Sequence, residues 1–271
     1  MRTYYDYPRQ CNEFETMKQH RITFVALGVI AFVALAVTLI YVLKPRFLWR
    51  WYGVVASEVF VDRLSAKAFS KMEYDGIDVS KHNGVIKWKK VAENKNIKFV
   101  YVKATEGASI VDRRYRKNFD GAKAQGFLVG SYHFLTSRSP VRKQFDNFRR
   151  TALIAGQDLI PVLDIEEKGI KGKWTAKQLQ DSVALFASLV KQHYGKLPVI
   201  YSNEKYYEKY LCPKFDNHFL FIANYDRRPH LGFAKHNLWQ YSERGHVKGI
   251  GEYVDLIKLE NKTQLAHLKL H

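Results

Sequence analysis

Asp164 and Glu166 stand two residues apart in Leu159-Ile160-Pro161-Val162-Leu163-Asp164-Ile165-Glu166-Glu167, an apolar run that ends in acids. Read as a short buried strand, the run places both carboxylates on one face and Ile165 on the other, because strand side chains alternate. The pair is then roughly 6 to 7 Å apart. Like charges this close repel, and in a low-dielectric cleft one of them keeps its proton near neutral pH. An acid beside an ionised neighbour is what cleavage of a glycosidic bond requires. The competing reading is a strand end running into a solvated loop, and the rest of the chain has to decide between the two.

Seven other short apolar runs end on, or carry, side chains of similar chemistry. Gly76 to Val79 carries Asp78, and Phe99 to Ala104 runs through Lys103 into Thr105 and Glu106. Phe127 to Phe134 ends in Tyr132-His133-Phe134, and Pro198 to Tyr201 leads into Ser202-Asn203. Phe219 to Ala223 reaches Asn224-Tyr225, Asn237 to Tyr241 holds Trp239-Gln240-Tyr241, and Tyr253 to Ile257 carries Asp255. In a β/α barrel the active site lies at the C-terminal ends of the strands. Four carboxylates, several aromatics and several amides would therefore meet at one mouth. Aromatic faces suit sugar rings, and amides and acids suit hydroxyl and acetamido groups. No glycine-rich phosphate loop follows any of these runs, which argues against a nucleotide. Four carboxylates could hold a divalent cation, but only His133 is near in strand order to complete a mixed site, so neither metal nor cofactor is expected. Some of these residues have structural readings as well. His133 reads best as a satisfied core histidine, Lys103 and Glu106 could be an ion pair at the rim, and Trp239 could be ordinary core.

The elements that would position these groups follow from periodicity. Helical spacing occupies Trp88 to Asn94, Asp112 to Gln125, Pro140 to Ala155, Thr175 to Tyr194 and Glu204 to Leu211. In the fourth, Leu179, Val183, Phe186, Ala187 and Val190 make one apolar stripe, with Thr175 as N-cap and Gly195 as stop. Strand–helix alternation implies parallel strands with right-handed crossovers. Eight strands with five helices predict an α/β barrel whose last three units lack helices, although an open doubly wound sheet would begin with the same rhythm.

The chain carries a net charge of +18, and residues 74–271 hold 34 Lys and Arg against 20 Asp and Glu. That excess favours anionic partners such as a lipid surface or a wall polymer. With no arginine-rich tract, zinc-finger spacing or aromatic RNA-binding motif, nucleic acid is not expected. Cys11 and Cys212 form no C-x-x-C pair. Ile22 to Leu43 runs 22 residues without a charge and is closed by Lys44-Pro45-Arg46. It is long enough to span a bilayer and longer than the apolar part of a cleaved signal peptide. Phe47, Trp49, Trp51 and Tyr52 read as an interfacial belt. Basic residues flank both ends, so charge alone does not orient the span. The expected organisation is a 1–21 N-terminal segment, a 22–43 transmembrane helix, a 44–73 connector and a 74–271 barrel.

Several motifs together resemble glycoside hydrolase family 25, the lysozymes or N-acetylmuramidases of bacteria, fungi and phages. They are Tyr74-Asp75-Gly76-Ile77-Asp78-Val79-Ser80, Phe99 to Gly107, Gly130 to Phe134, Asp164-Ile165-Glu166, Leu238 to Ser242, and Val254-Asp255-Leu256. The resemblance spans 74–260 and implies a (β/α)5(β)3 barrel. The activity it implies is cleavage of the β-1,4 bond between N-acetylmuramic acid and N-acetylglucosamine in peptidoglycan. Glu166 would then be the proton donor, and Asp164 would hold the substrate acetamido group or otherwise stabilise positive charge at the anomeric carbon. Asp78 and Asp255 would complete an acidic floor, with Tyr132, Tyr201, Trp239 and Gln240 shaping the sugar site and Lys103, Glu106 and Asn224 beside them. Members often carry Trp where this chain has Phe221, so a weaker subsite contact is expected there. Because the substrate lies outside the cytoplasm, the resemblance also implies an N-terminus inside and a barrel outside, in the periplasm or facing the wall. Two alternatives remain: a non-catalytic wall-binding protein, and a glycosidase acting on chitin-like polymers.

Overall fold

The computed structural model describes residues 73–232, 234–260 and 265–271. The expected N-terminal segment, transmembrane helix and most of the connector lie outside the described residues. No helix among the described residues is long and apolar enough to cross a membrane.

The strands are β1 (Gly76–Val79), β2 (Phe99–Glu106), β3 (Ile110–Val111), β4 (Leu128–Phe134), β5 (Val162–Asp164), β6 (Val199–Asn203), β7 (Leu220–Ala223), β8 (Leu238–Gly245) and β9 (Val254–Leu259). All but β3 form a ring. Neighbours β1, β2 and β4 to β8 pair in parallel, and β9 closes the barrel between β8 and β1. The helices are α1 (Trp88–Val91), α2 (Tyr115–Lys123), α3 (Val141–Thr151), α4 (Glu167–Ile170), α5 (Ala176–Tyr194) and α6 (Glu204–Tyr210). They follow β1, the β2–β3 hairpin, β4, β5 (α4 and α5) and β6, while β7 to β9 are joined without α-helices, as the sequence predicts. Parallel strands throughout are not what the structure shows. β9 runs antiparallel to both neighbours, because the short connection 246–253 turns the chain straight back, whereas the longer, equally helix-free connection 224–237 returns it for the parallel β7–β8 pair.

Strand alternation sorts the core into two layers. Phe99, Tyr101, Val162, Val199, Phe221, Leu238 and Ile257 point into the barrel and fill its lower part. Val100, Val102, Val129, Leu163, Ile200 and Ile222 point outward and pack against the helices. The inward positions one step nearer the mouth are the polar ones: Asp78, Lys103, Tyr132, Asp164, Tyr201, Gln240 and Asp255. An apolar plug thus supports a polar ring, and burial of each plug side chain contributes about 1.5–3 kcal/mol.

α5 is the longest helix described and packs against α3 and α6, with Phe186 stacked on His133 of β4. Thr175 Oγ1 accepts from Gln178 N while the Gln178 side chain accepts from Thr175 N, and Gly195 ends the helix at φ 83. Its buried stripe contains Leu179, Val183, Phe186, Ala187, Val190 and Tyr194.

Candidate active site

The polar ring opens into a cleft of about 570 Å³. β5 delivers Asp164, paired in register with Phe134 of β4 and Tyr201 of β6. Beyond the strand, Ile165 N donates to Tyr201 O at 3.0 Å and Ser202 Oγ donates to Ile165 O at 2.8 Å. These bonds hold the chain extended for two more residues. Ile165 is buried in the outer layer, and Glu166, at φ −131 and ψ 153, returns to the cleft side. The shared face expected of Asp164 and Glu166 is therefore present. Glu166 O then accepts from Gly169 N and Ile170 N, which starts the single turn α4. That turn aims Lys168 back at the acid, with Nζ 2.7 Å from Glu166 Oε2.

Asp164 is 7% exposed, and its Oδ1 has no hydrogen-bond partner among the described residues. Burial, then the charge of Glu166 beside it, raise its carboxyl well above the ordinary range. Across the barrel, Asp78 and Asp255 face each other as a cross-strand pair of β1 and β9. Burial, followed by the neighbouring Asp255, raises Asp78 well above its ordinary value. Burial also lifts Asp255, to about 6, although its hydrogen bond with Asp78 acts the other way. Asp255 is the second residue of its strand rather than an end residue. It reaches the same mouth because β9 enters the barrel there.

Gln240 links the two sides of the cleft. Its Nε2 donates to Asp78 Oδ2 at 2.9 Å, and its Oε1 accepts from Tyr201 Oη at 2.7 Å and Tyr225 Oη at 2.9 Å. Tyr132 and Phe221 complete the floor. Phe221 packs edge-on to Tyr201, 4.9 Å between centroids, so an aromatic surface is kept where Trp is often found.

Lys103 and Glu106 both line the cleft and form the rim ion pair at 3.1 Å. Glu106 faces inward because β2 has a bulge. Register slips between Lys103 and Thr105, so Ala104 and Thr105 both turn outward and alternation resumes one residue late. Lys103 and Arg138 outweigh burial and hold the Glu106 carboxyl below its usual value. A second slip, in β8 after Gln240, likewise brings Glu243 to the cleft.

Two expected site residues are not brought to the cleft. Trp239 is 1% exposed on the outward side of β8, next to inward Gln240, and its Nε1 donates to Asn224 O at 2.7 Å. It is core, one alternation step out of phase with the site. The Asn224 side chain turns away to buried Glu204, and its Oδ1 accepts from the Asp226 and Arg227 amides. His133 is also core. It is fully buried, stacked 4.8 Å from Phe186, and bonded through Nδ1 to Thr105 and through Nε2 to Gln144. Burial lowers its pKa to about 4, so it stays neutral.

Ser80, His82, Asn83, Tyr101, Phe134, Arg138, Lys168, Lys171, Glu243 and Tyr253 line the cleft without having been read from the sequence as site residues. Ser80, Tyr101 and Phe134 lie within the sequence motifs and Tyr253 and Lys168 close beside them, so position alone could have found these. His82, Asn83, Arg138, Lys171 and Glu243 depend on loop paths and a bulge that carry no local signal.

The arrangement offers a buried carboxyl beside a half-buried one, a second acidic pair opposite, and tyrosines and an amide between them. It suits protonation of a glycosidic oxygen with stabilisation of the positive charge that follows. The chain is similar to the Uncharacterized protein YegX of Escherichia coli O6:H1, 31% identical over 88% of this chain and 89% of that protein. Among solved structures it resembles a family 25 glycosyl hydrolase from Bacillus anthracis, with a TM-score of 0.64 at 29% identity, covering 70% of this chain and 91% of that one. A bacterial lysozyme from Streptomyces coelicolor gives a TM-score of 0.64 at 28% identity, covering 73% of this chain and 96% of that one. The profile described as Glycosyl hydrolases family 25 matches residues 77–250, and the chain belongs to that family.

Proposed function

We propose that this chain is a muramidase that hydrolyses the β-1,4 bond between N-acetylmuramic acid and N-acetylglucosamine in peptidoglycan. The observation that carries the reading is buried Asp164 beside half-buried Glu166, opposed by Asp78 and Asp255 in one cleft. Glu166 is the proton donor to the leaving oxygen. Asp164, with an unpartnered buried Oδ1, accepts the N–H of the sugar's acetamido group. That hydrogen bond favours the charged form of Asp164. It also orients the acetamido oxygen for attack on the anomeric carbon, with no demand on Asp164 to reach that carbon itself. Asp78, Asp255 and Gln240 hold the acidic floor against which the positive charge develops.

The uncharged run 22–43 supports a single membrane span, with 1–21 inside and the barrel, 74–271, outside at the wall. The similarity to the Escherichia coli protein, at 249 residues, is longer than the barrel domain and so reaches into the N-terminal part. The span is tested by alkaline extraction of membranes and by protease treatment of spheroplasts. Retention in the pellet with the barrel digested from outside is expected; release by alkali or full protection of the barrel refutes the topology.

Glu166→Gln tests the catalytic reading. It should cut release of reducing ends from purified peptidoglycan by about 10²–10⁴-fold, the usual contribution of a positioned acid, while the circular dichroism spectrum stays unchanged. Near-normal turnover would sink the assignment.

A further inference from the structure

The two sides of the cleft differ in charge. At its β4–β5 edge stand Arg138, Lys168 and Lys171, whereas His82, Tyr253 and Glu243 lie at the β1–β9 edge with no Lys or Arg among them. Arg138 and Lys168 each touch an acid, Glu106 and Glu166, both at 2.7 Å, yet their side chains stay 52% and 70% exposed. Lys171 is exposed and makes no ion pair with the described residues.

Lys171 carries a second, independent signal. Its backbone is left-handed, at φ 49 and ψ 36, and it is the only non-glycine residue with positive φ among those described. That conformation is costly for an L side chain and free for glycine. Gly172, at φ 66, follows immediately, so the turn contains a glycine and still sets a lysine at the strained position. A strained residue kept at the edge of a cleft points to a use for its side chain.

On the muramidase reading above, we propose that Arg138, Lys168 and Lys171 form a cationic edge that binds a carboxylate carried by the muramyl residue, either on its lactyl group or on the peptide attached there. Of the two sugars in the repeat, only the muramyl residue carries such a group, so the edge gives the cleft its direction. The muramyl side of the scissile bond lies toward β4 and β5, and the acetylglucosamine side toward Tyr253. The exposure of the three cations matches a substituent that leaves the cleft for solvent rather than a buried sugar hydroxyl. The edge also discriminates against neutral chitin-like strands, which have nothing to offer it.

The test compares kcat/KM of the full chain with that of Lys171→Gly and Arg138→Gln on three substrates. These are peptide-bearing glycan strands, strands stripped of peptide by an amidase, and peptide-bearing strands whose carboxyls have been amidated with carbodiimide and ammonia. Each variant should lose on the order of tenfold on the peptide-bearing strands, which corresponds to about 1.4 kcal/mol. The wild type should fall to the level of the variants on the amidated strands. Lys171→Gly relieves backbone strain and should keep or raise Tm, which separates a binding loss from misfolding. A loss on peptide-bearing strands that vanishes on stripped ones assigns the peptide carboxylates, and a loss seen only on stripped strands, where the amidase has freed the lactyl carboxyl from its amide bond, assigns the lactyl carboxylate. Equal kcat/KM for all three proteins on acidic strands overturns the cationic edge alone. Failure of the wild type to cleave any of the three overturns the muramidase reading beneath it.

Discussion

At the scale of single residues, the site is a set of acids kept from ionising together. Asp78, Asp164 and Asp255 are all raised by burial, so the native protein holds protons that the unfolded chain has already released. For Asp255 the window runs from its ordinary 3.8 to about 6. Across that window the native state binds more protons than the unfolded one, so stability from this group is present below about pH 4 and is lost as pH rises through 6. His133 works in the opposite sense, since a pKa lowered to about 4 contributes stability above pH 6.5 that is lost on acidification. Asp255→Asn removes one contribution and leaves the other. Its Tm relative to wild type should therefore rise between pH 4 and pH 7.5, by an amount equivalent to roughly 2 kcal/mol. A difference that is the same at both pH values, measured by thermal denaturation, would show that Asp255 is not a raised carboxyl.

At the scale of elements, two short features show how differently local structure can bear on function. Thr175 caps α5 and is exposed to solvent. Thr175→Ala should cost about 1 kcal/mol of stability and leave kcat/KM unchanged. Gly169, inside α4, lies against the carbonyl of Leu135, and a Cβ there would overlap that backbone oxygen. Backbone does not yield as a flexible side chain does, so Gly169→Ala should shift the turn that carries Glu166 and Lys168. The expected outcome is a fall in kcat/KM of at least about tenfold, because placement errors near 1 Å are costly to catalysis, with a drop in Tm too small to explain it. If activity survives in Gly169→Ala, α4 does not set the position of the acid.

For the molecule as a whole, charge is the dominant long-range property. Residues 74–271 hold 34 Lys and Arg against 20 Asp and Glu, yet the floor of their cleft is acidic. The basic exterior draws the protein to anionic wall polymer and lipid, while the acids do their work at short range inside. Screening shortens the reach of the exterior, the Debye length being about 8 Å at physiological ionic strength and about 3 Å at 1 M. Raising NaCl from 50 mM to 500 mM should therefore increase KM for peptidoglycan severalfold and change kcat little. A kcat that falls in step with KM would instead place the salt effect on the acids of the cleft.

Alternation by two was enough to set Asp164 and Glu166 on one face, and the convergence of strand ends in a barrel was enough to bring Asp78, Tyr201 and Gln240 to the same mouth. The helical stripe of α5 and both of its caps were equally legible, because capping and amphipathic spacing are local. Trp239 had an ordinary core reading as well, and alternation with inward Gln240 is the physical reason that it is core. Other features depended on partners distant in the chain. The bulges that turn Glu106 and Glu243 inward arise from strand pairing, and the antiparallel entry of β9 arises from closure of the ring. Asn224 was drawn to Glu204 and Lys168 to Glu166 by neighbours that only folding supplies. The residue types and their period thus determined the acidic chemistry and the barrel that holds it. Tertiary structure alone decided which protons that chemistry keeps, since a carboxyl's environment is set by burial and by charges brought from other strands.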